Sequence, residues 1–359
     1  MRCLTDSASA NELSLDGSKD GGLFRVQAFQ WLQTTCFKDT YDSGVEMSSI
    51  VSRRAFVKTV GLGALAGSSM VAVEAQAATT AQPGANSDDS TLARLLPGCC
   101  AYSYDKELKH GSMTLEDFIL KSADMRLTAV DMTGYYFKST DPEYLHGLRH
   151  LAYQHAIVFS GAACGVSMVQ ADAQKRAESL GQIKKWVDIT DLLGASHLRI
   201  FAGELPKGSN LKDAVDWVVE SMKAACDYSG KKGITLGVED HEGVTQSADL
   251  CVEIMQCVNS PYAGINLDIT NFIPTPTQDA YAQIAACIPY ATHIHIRDHF
   301  YDYSAVDMDR VWQIFAKAGH QGYVSAEYEA NYPGSLPPTS GVPKLVNEIR
   351  TLCKKYSSV

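Results

Sequence analysis

The sequence predicts an α/β protein built as a single-domain (β/α)8 barrel, and three observations carry that expectation. From about residue 98 a short β-rich run is followed by a segment of helical period, and the pair repeats eight times. Eight such units in roughly 260 residues match the size of this barrel class. A doubly wound open sheet would need a Gly-rich phosphate turn after its first strand, and none is there.

The strands expected in the first half are Gly98–Tyr102, Ala129–Thr133, Ile157–Ala162 and His197–Phe201. Those in the second half are Thr235–His241, Gly264–Thr270, Thr292–Asp298 and Tyr323–Glu329. Helices are expected between them. Thr114 is placed to cap the first, before Leu115-Glu116-Asp117-Phe118. The others are Pro142–His155, Ala173–Leu193, Leu211–Lys231, Ser247–Val258, Thr277–Ile288, Asp307–Ala318 and Val342–Lys355. Gly194, Gly233 and Gly319 supply stop signals, since glycine takes the left-handed conformation that ends a helix. Trp217 and Trp312 fall within helix patterns and read as packing residues.

Composition narrows the class. Apolar residues at 45% and charged residues at 20% exclude a disordered chain. With 31 basic against 41 acidic residues the net charge is -10, which excludes nucleic acid as the expected partner. Eight cysteines follow residue 77, with no CxxC pair or regular framework, and most read as small buried hydrophobes.

The N-terminal part reads differently. Ser52-Arg53-Arg54-Ala55-Phe56-Val57-Lys58 precedes a mildly apolar run from Thr59 to Val73, and Ala75-Gln76-Ala77 offers a small-residue cleavage site. This order resembles a twin-arginine export signal over residues 47–77. Met47 is then the better-placed start, and residues 1–46 receive no assignment. Residues 78–95 read as a linker and 96–359 as the barrel. The expected location is the periplasm or beyond, in a bacterium.

Alternation along strands five to eight points to chemistry. Leu236 and Val238 oppose Gly237, Glu239 and His241; Ile265 and Leu267 oppose Asn266, Asp268 and Thr270. Ile294 and Ile296 oppose His293, His295 and Arg297, and Val324, Ala326 and Tyr328 oppose Ser325, Glu327 and Glu329. The apolar set must meet the helix shell, so Glu239, Asp268, His295 and Glu327 converge on the barrel axis near the strands' C-terminal ends. Three carboxylates in a low-dielectric interior repel one another, and a divalent cation removes the difficulty. Carboxylates with one imidazole suit Mn²⁺, with Mg²⁺ or Co²⁺ as alternatives. A buried ion-pair network with Arg199 and Arg297 is the rival reading. His293 reads as a packed, hydrogen-bonded histidine.

Four motifs stand in order: Gly237-Val-Glu-Asp-His241, Asn266-Leu-Asp-Ile-Thr-Asn271, His293-Ile-His-Ile-Arg-Asp298 and Ser325-Ala-Glu-Tyr-Glu329. Together they resemble the xylose isomerase-like TIM-barrel superfamily, the sugar phosphate isomerase/epimerase group, over roughly residues 98 to 356. The resemblance implies that Glu239 and Glu327 are metal ligands and the acid–base pair, with Asp268 and His295 as the remaining ligands. It implies substrate contacts at His241, Asn271, Arg297 and Asp298, where Arg297 stands in place of the Lys of many relatives. The substrate-binding Arg that ketohexose epimerases carry a few residues beyond the histidine ligand has no clear counterpart here; Tyr301 lies nearby.

The chemistry so implied is metal-dependent sugar isomerisation or epimerisation by proton abstraction next to a carbonyl. A lyase or hydrolase acting on 3-keto-glycosides is the first alternative, and a non-catalytic carbohydrate-binding barrel the second. Expected partners are a small sugar or glycoside and the twin-arginine translocation machinery, with a homo-oligomer left open. Tyr102, Asp131, Tyr135, Arg199 and His299 are further pocket candidates near strand ends.

Overall fold

The computed structural model describes residues 92–357. The segments read as an unassigned start, an export signal and all but the end of the linker lie outside the described residues. Eight parallel strands close into a barrel in sequence order: β1 Arg94–Cys100, β2 Ala129–Thr133, β3 Val158–Ser167, β4 His197–Phe201, β5 Thr235–Glu239, β6 Ala263–Asp268, β7 Ala291–Ile296 and β8 Gln321–Ala326. The ring is closed by β1 against β8, from Arg94 opposite Gln321 to Cys99 opposite Ala326. Each strand feeds a helix: α1 Leu115–Asp124, α2 Pro142–Gln154, α3 Ala173–Leu193, α4 Leu211–Ser229, α5 Ala248–Val258, α6 Ala280–Cys287, α7 Met308–Lys317 and α8 Pro338–Tyr356. Among the described residues, no helix is long and apolar enough to cross a membrane.

Local chemistry sets many helix ends. Thr114 and Asp117 form a reciprocal capping box on α1. Asp172, Asn210, Ser247 and Asp279 each accept from a backbone N–H at the start of the following helix. Gly194 ends α3 in the left-handed conformation (φ 84°), and Gly233 takes the same turn before β5.

The strands differ from expectation at their ends. β1 starts at Arg94, inside the segment read as linker, because pairing with β8 extends a stretch whose Leu-Leu-Pro sequence has little strand preference of its own. β3 runs on to Ser167, opposite Phe201 of β4, through small residues that carry no alternation signal. β5, β6, β7 and β8 end two or three residues early, so His241, Thr270, Arg297 and Glu327 sit just past the ladder. The pairing fades gradually: the Glu327 N–H still donates to Ile296 O at 2.8 Å.

The two faces of the sheet separate as the alternation requires. Leu236, Val238, Ile265, Leu267, Ile294, Ile296, Val324 and Ala326 are fully buried, in one hydrophobic core with Val311, Trp312 and Phe315 of α7. Trp217 is half-buried in the same layer, with the Arg176 guanidinium 5.0 Å from its ring centre. The lumen is polar. His197 and His293 stack with ring centres 5.2 Å apart, and His293 Nε2 lies 3.2 Å from Ser160 Oγ. Gly237 makes room for this pair, since a Cβ there would overlap the His197 ring.

Candidate metal centre and active site

The polar stripe emerges at the C-terminal ends of the strands, where the βα loops begin. Glu239 and Asp268 are the last residues of β5 and β6, His295 lies one residue before the end of β7, and Glu327 directly follows β8. One oxygen or nitrogen from each lies within 4.8 Å of the other three, and all four side chains are buried. An octahedral ion with bonds of about 2.1 Å holds opposite ligands about 4.2 Å apart, so movements of a few tenths of an ångström would seat one.

The partners are specific. Nδ1 of His295 contacts Glu327, and its Nε2 lies 2.8 Å from Asp131 Oδ2. Asn266 Nδ2 is 3.4 Å from the same Nδ1. Asp268 Oδ1 accepts from the Thr270 N–H and hydroxyl at 2.9 and 2.8 Å, which aims Oδ2 inward. Asp240 turns the other way and accepts from the Asp268 N–H at 2.8 Å, pinning the β6 tip. Arg199 Nε lies 3.0 Å from Glu239 Oε2. Arg297 Nη2 is 2.8 Å from Asp268 Oδ2, 3.5 Å from Glu327 Oε1 and 3.3 Å from Glu329 Oε1.

Ion pairs of the rival kind are therefore present, yet they do not balance the charge. Five carboxylates (Asp131, Glu239, Asp268, Glu327 and Glu329) face two guanidiniums and one imidazole. The residual negative charge of these carboxylates, four of them buried, fits a divalent cation.

The two glutamates are driven apart in acidity. Burial raises Glu239, and the Arg199 charge only partly offsets it. Glu327 is equally buried, but His295 and Arg297 outweigh burial and hold its carboxyl at about 2. His295 would lose basicity by burial; the Glu327 and Asp131 carboxylates instead push it well above an ordinary imidazole.

A cavity of about 250 Å³ opens over these groups, lined by Tyr102, Tyr135, Arg199, Phe201, Glu239, His241, Arg297, Glu327 and Glu329. His241 faces it from just past β5, its ring 5.0 Å from that of Phe201. Arg297 also lines a second cavity, of about 290 Å³, as does Asp298, which accepts from the Tyr332 hydroxyl at 2.9 Å. His299 stacks on Tyr332 at 3.8 Å in that wall. Asn271 is different: it is buried, accepts from the Tyr301 hydroxyl at 2.9 Å and lines neither cavity. Its place is behind Tyr301, which carries it to the cavity wall.

Sequence reasoning assigned no role to Glu329, Asn266 or Tyr332. Glu329 continues the inward alternation two residues beyond Glu327, so that signal was present in the sequence. Asn266 shares the inward face of β6 with Asp268. Tyr332 sits in the loop after β8 and has no local pattern to mark it.

A family profile described as xylose isomerase-like TIM barrel matches residues 120–352. The chain belongs to that family. Solved structures share the family fold at low identity. D-psicose 3-epimerase solved in the presence of D-fructose aligns at TM-score 0.60 and 14% identity, covering 72% of this chain and 97% of its own. L-ribulose 3-epimerase aligns at 0.61 and 12%, covering 74% and 95%. The 3-keto-D-glucoside 4-epimerase of E. coli, in its apo form, aligns at 0.58 and 12%, covering 72% and 99%. At this identity the likeness is one of fold. A search of curated protein sequences gives no significant match.

Proposed function

We propose that the chain is a divalent-metal-dependent isomerase or epimerase of sugars or glycosides, moving a proton at the carbon beside a carbonyl. The observation that carries this reading is the gathering of Glu239, Asp268, His295 and Glu327 within 4.8 Å at the catalytic end of the barrel. The names of the aligned epimerases support it as context. These four residues would hold the ion, Mn²⁺ by the chemistry of the donor set, and a bound ion would supply Lewis-acid polarisation of the carbonyl.

The rest of the work falls to the chain. Glu327, kept ionised by His295 and Arg297, is the base that takes the proton. Glu239, at the tip of β5, is the second carboxylate, which returns a proton from the other wall. Arg199 holds Glu239 in place, and Arg297 offers positive charge beside the developing oxyanion. Return to the same carbon from the opposite face inverts a stereocentre; return to the neighbouring carbon isomerises.

The test is solvent deuterium incorporation into a panel of ketoses and keto-glycosides, with metal content measured alongside. Exchange next to the carbonyl is expected, lost in Glu327→Gln. A protein that binds no metal and exchanges no substrate would instead be a carbohydrate-binding barrel. Export through residues 47–77 belongs to the same proposal, because an exported enzyme meets glycosides more than sugar phosphates. Cell fractionation of an Arg53→Lys, Arg54→Lys variant checks it, with retention in the cytoplasm expected.

A further inference from the structure

The cavity above the carboxylates begins a row of adjoining cavities, and a side chamber of about 170 Å³ meets it at Tyr102 and Glu329. The first cavity shares Arg297 and Glu329 with the 290 Å³ chamber, which in turn shares Thr270, Phe300 and Tyr301 with a third of about 470 Å³. The walls change character along this row. Arg199, Glu239, Arg297 and Glu327 charge the first. The third is faced by Phe272, Ile273, Pro274, Tyr281, Phe300 and Tyr301, and among the described residues no Lys, Arg or His lines it. Its two carboxylates are already engaged: Asp279 with Arg310 at 2.9 Å, and Asp302 with the Ser304 N–H at 2.9 Å.

This wall is held in shape from behind. Phe300 meets Tyr281 edge-on with ring centres 5.7 Å apart, and the Arg310 guanidinium lies 4.0 Å from the Tyr281 ring centre. The Tyr281 hydroxyl accepts from the Asp307 N–H at 2.9 Å, and Tyr301 is tied to Asn271. Yet Tyr301 stays 57% and Ile273 53% exposed. Large apolar side chains left in water, beside a charged cavity, are what a ligand with one polar and one apolar end would cover.

We propose that the third chamber is an aglycone subsite and that the substrate is a keto-glycoside carrying an aryl aglycone. This rests on the function proposed above. The oxidised sugar lies over Glu239 and Glu327, and the aryl ring reaches Tyr301 and Ile273 through the middle chamber. A free monosaccharide would leave the apolar wall wet. A second sugar ring would bring hydroxyls to a wall with few convergent donors, whereas an aryl ring offers the apolar face and edge that aromatic side chains pack against.

The experiment uses the full chain loaded with Mn²⁺ and compares phenyl 3-keto-glucoside with methyl 3-keto-glucoside in the deuterium exchange assay. A KM at least tenfold lower for the phenyl compound is expected, with that ratio falling towards one in Ile273→Asp. Equal KM values, or a lower KM for 3-keto-cellobiose than for the phenyl compound, would overturn the proposal. Titration with phenyl glucoside, which has no carbonyl, separates the two readings. Binding that is weakened at least tenfold by Ile273→Asp supports the subsite even where exchange is absent and the catalytic reading fails. Exchange of the methyl compound with no phenyl advantage sinks the subsite and leaves the catalytic reading standing.

Discussion

Asp131 Oδ2 lies 2.8 Å from Nε2 of His295, and the two side chains, 164 residues apart in the chain, are both buried. With Glu327 at Nδ1, the second nitrogen of the ring is committed to a carboxylate on β2. A carboxylate behind a ligating imidazole fixes its tautomer and raises its basicity, and loss of such a partner typically costs 10–100-fold in metal affinity. Asp131→Asn is therefore expected to weaken Mn²⁺ binding by about that 10–100-fold, measured by competition with a chelator. Unchanged affinity would show that Nε2 needs no anchor.

Arg297 gives a second expectation. It is 7% exposed and contacts Asp268, Glu327 and Glu329. Removing one partner of a buried ion pair costs roughly 3–5 kcal/mol because charge is left uncompensated. Arg297→Met should lower metal-free stability by about that amount in urea unfolding. Added Mn²⁺ should then restore more stability to the variant than it adds to the parent, since the ion replaces the lost positive charge.

Proton release should accompany metal binding. The Glu327 and Asp131 carboxylates keep His295 protonated well above an ordinary imidazole, and a ligating nitrogen must be free of its proton. Apparent Mn²⁺ affinity is expected to rise with pH above neutrality, and calorimetry in buffers of different ionisation enthalpy counts the protons released.

His320 offers a cleaner pH test away from the site. Burial lowers its pKa to about 4, and its Nε2 has no hydrogen-bond partner among the described residues. The unfolded imidazole takes its proton near 6.5, so between 6.5 and about 4 the unfolded state binds more protons and stability drops as the pH falls. The slope reaches about 1.4 kcal/mol per pH unit for one group. The stability difference between the parent and His320→Gln should therefore move against the parent across that window; a flat difference would refute it.

Gly237→Ala probes the lumen. The added methyl would overlap His197, whose ring is already stacked on His293 and 3.1 Å from Thr292 Oγ1. Overpacking of this kind costs roughly 1–3 kcal/mol, readable in a urea midpoint shift.

Much of this was legible in the sequence because of one periodicity. On β5 to β8 the polar residues alternate with aliphatic ones, so Glu239, Asp268, His295 and Glu327 fall on one face by parity alone. The first half of the barrel hides its part. On β2 the flanking residues of Asp131 are Val130 and Met132, and a single acid in an apolar strand does not say which distant histidine it serves. The links made by Tyr301 and Tyr332 are illegible for a related reason: they join loops after different strands, and only the closed ring brings those loops together.

That closure has its own consequence. Leu95 and Leu96 find their β8 partners, Gly322 and Tyr323, more than two hundred residues later, and the Leu95 N–H is also met by Ser357 Oγ at 2.8 Å. During synthesis the first strand must wait with one edge unpaired until β8, Gln321–Ala326, has left the ribosome. A nascent chain stalled before Gln321 would expose two unsatisfied strand edges, and it is in that interval that chaperone protection would matter most.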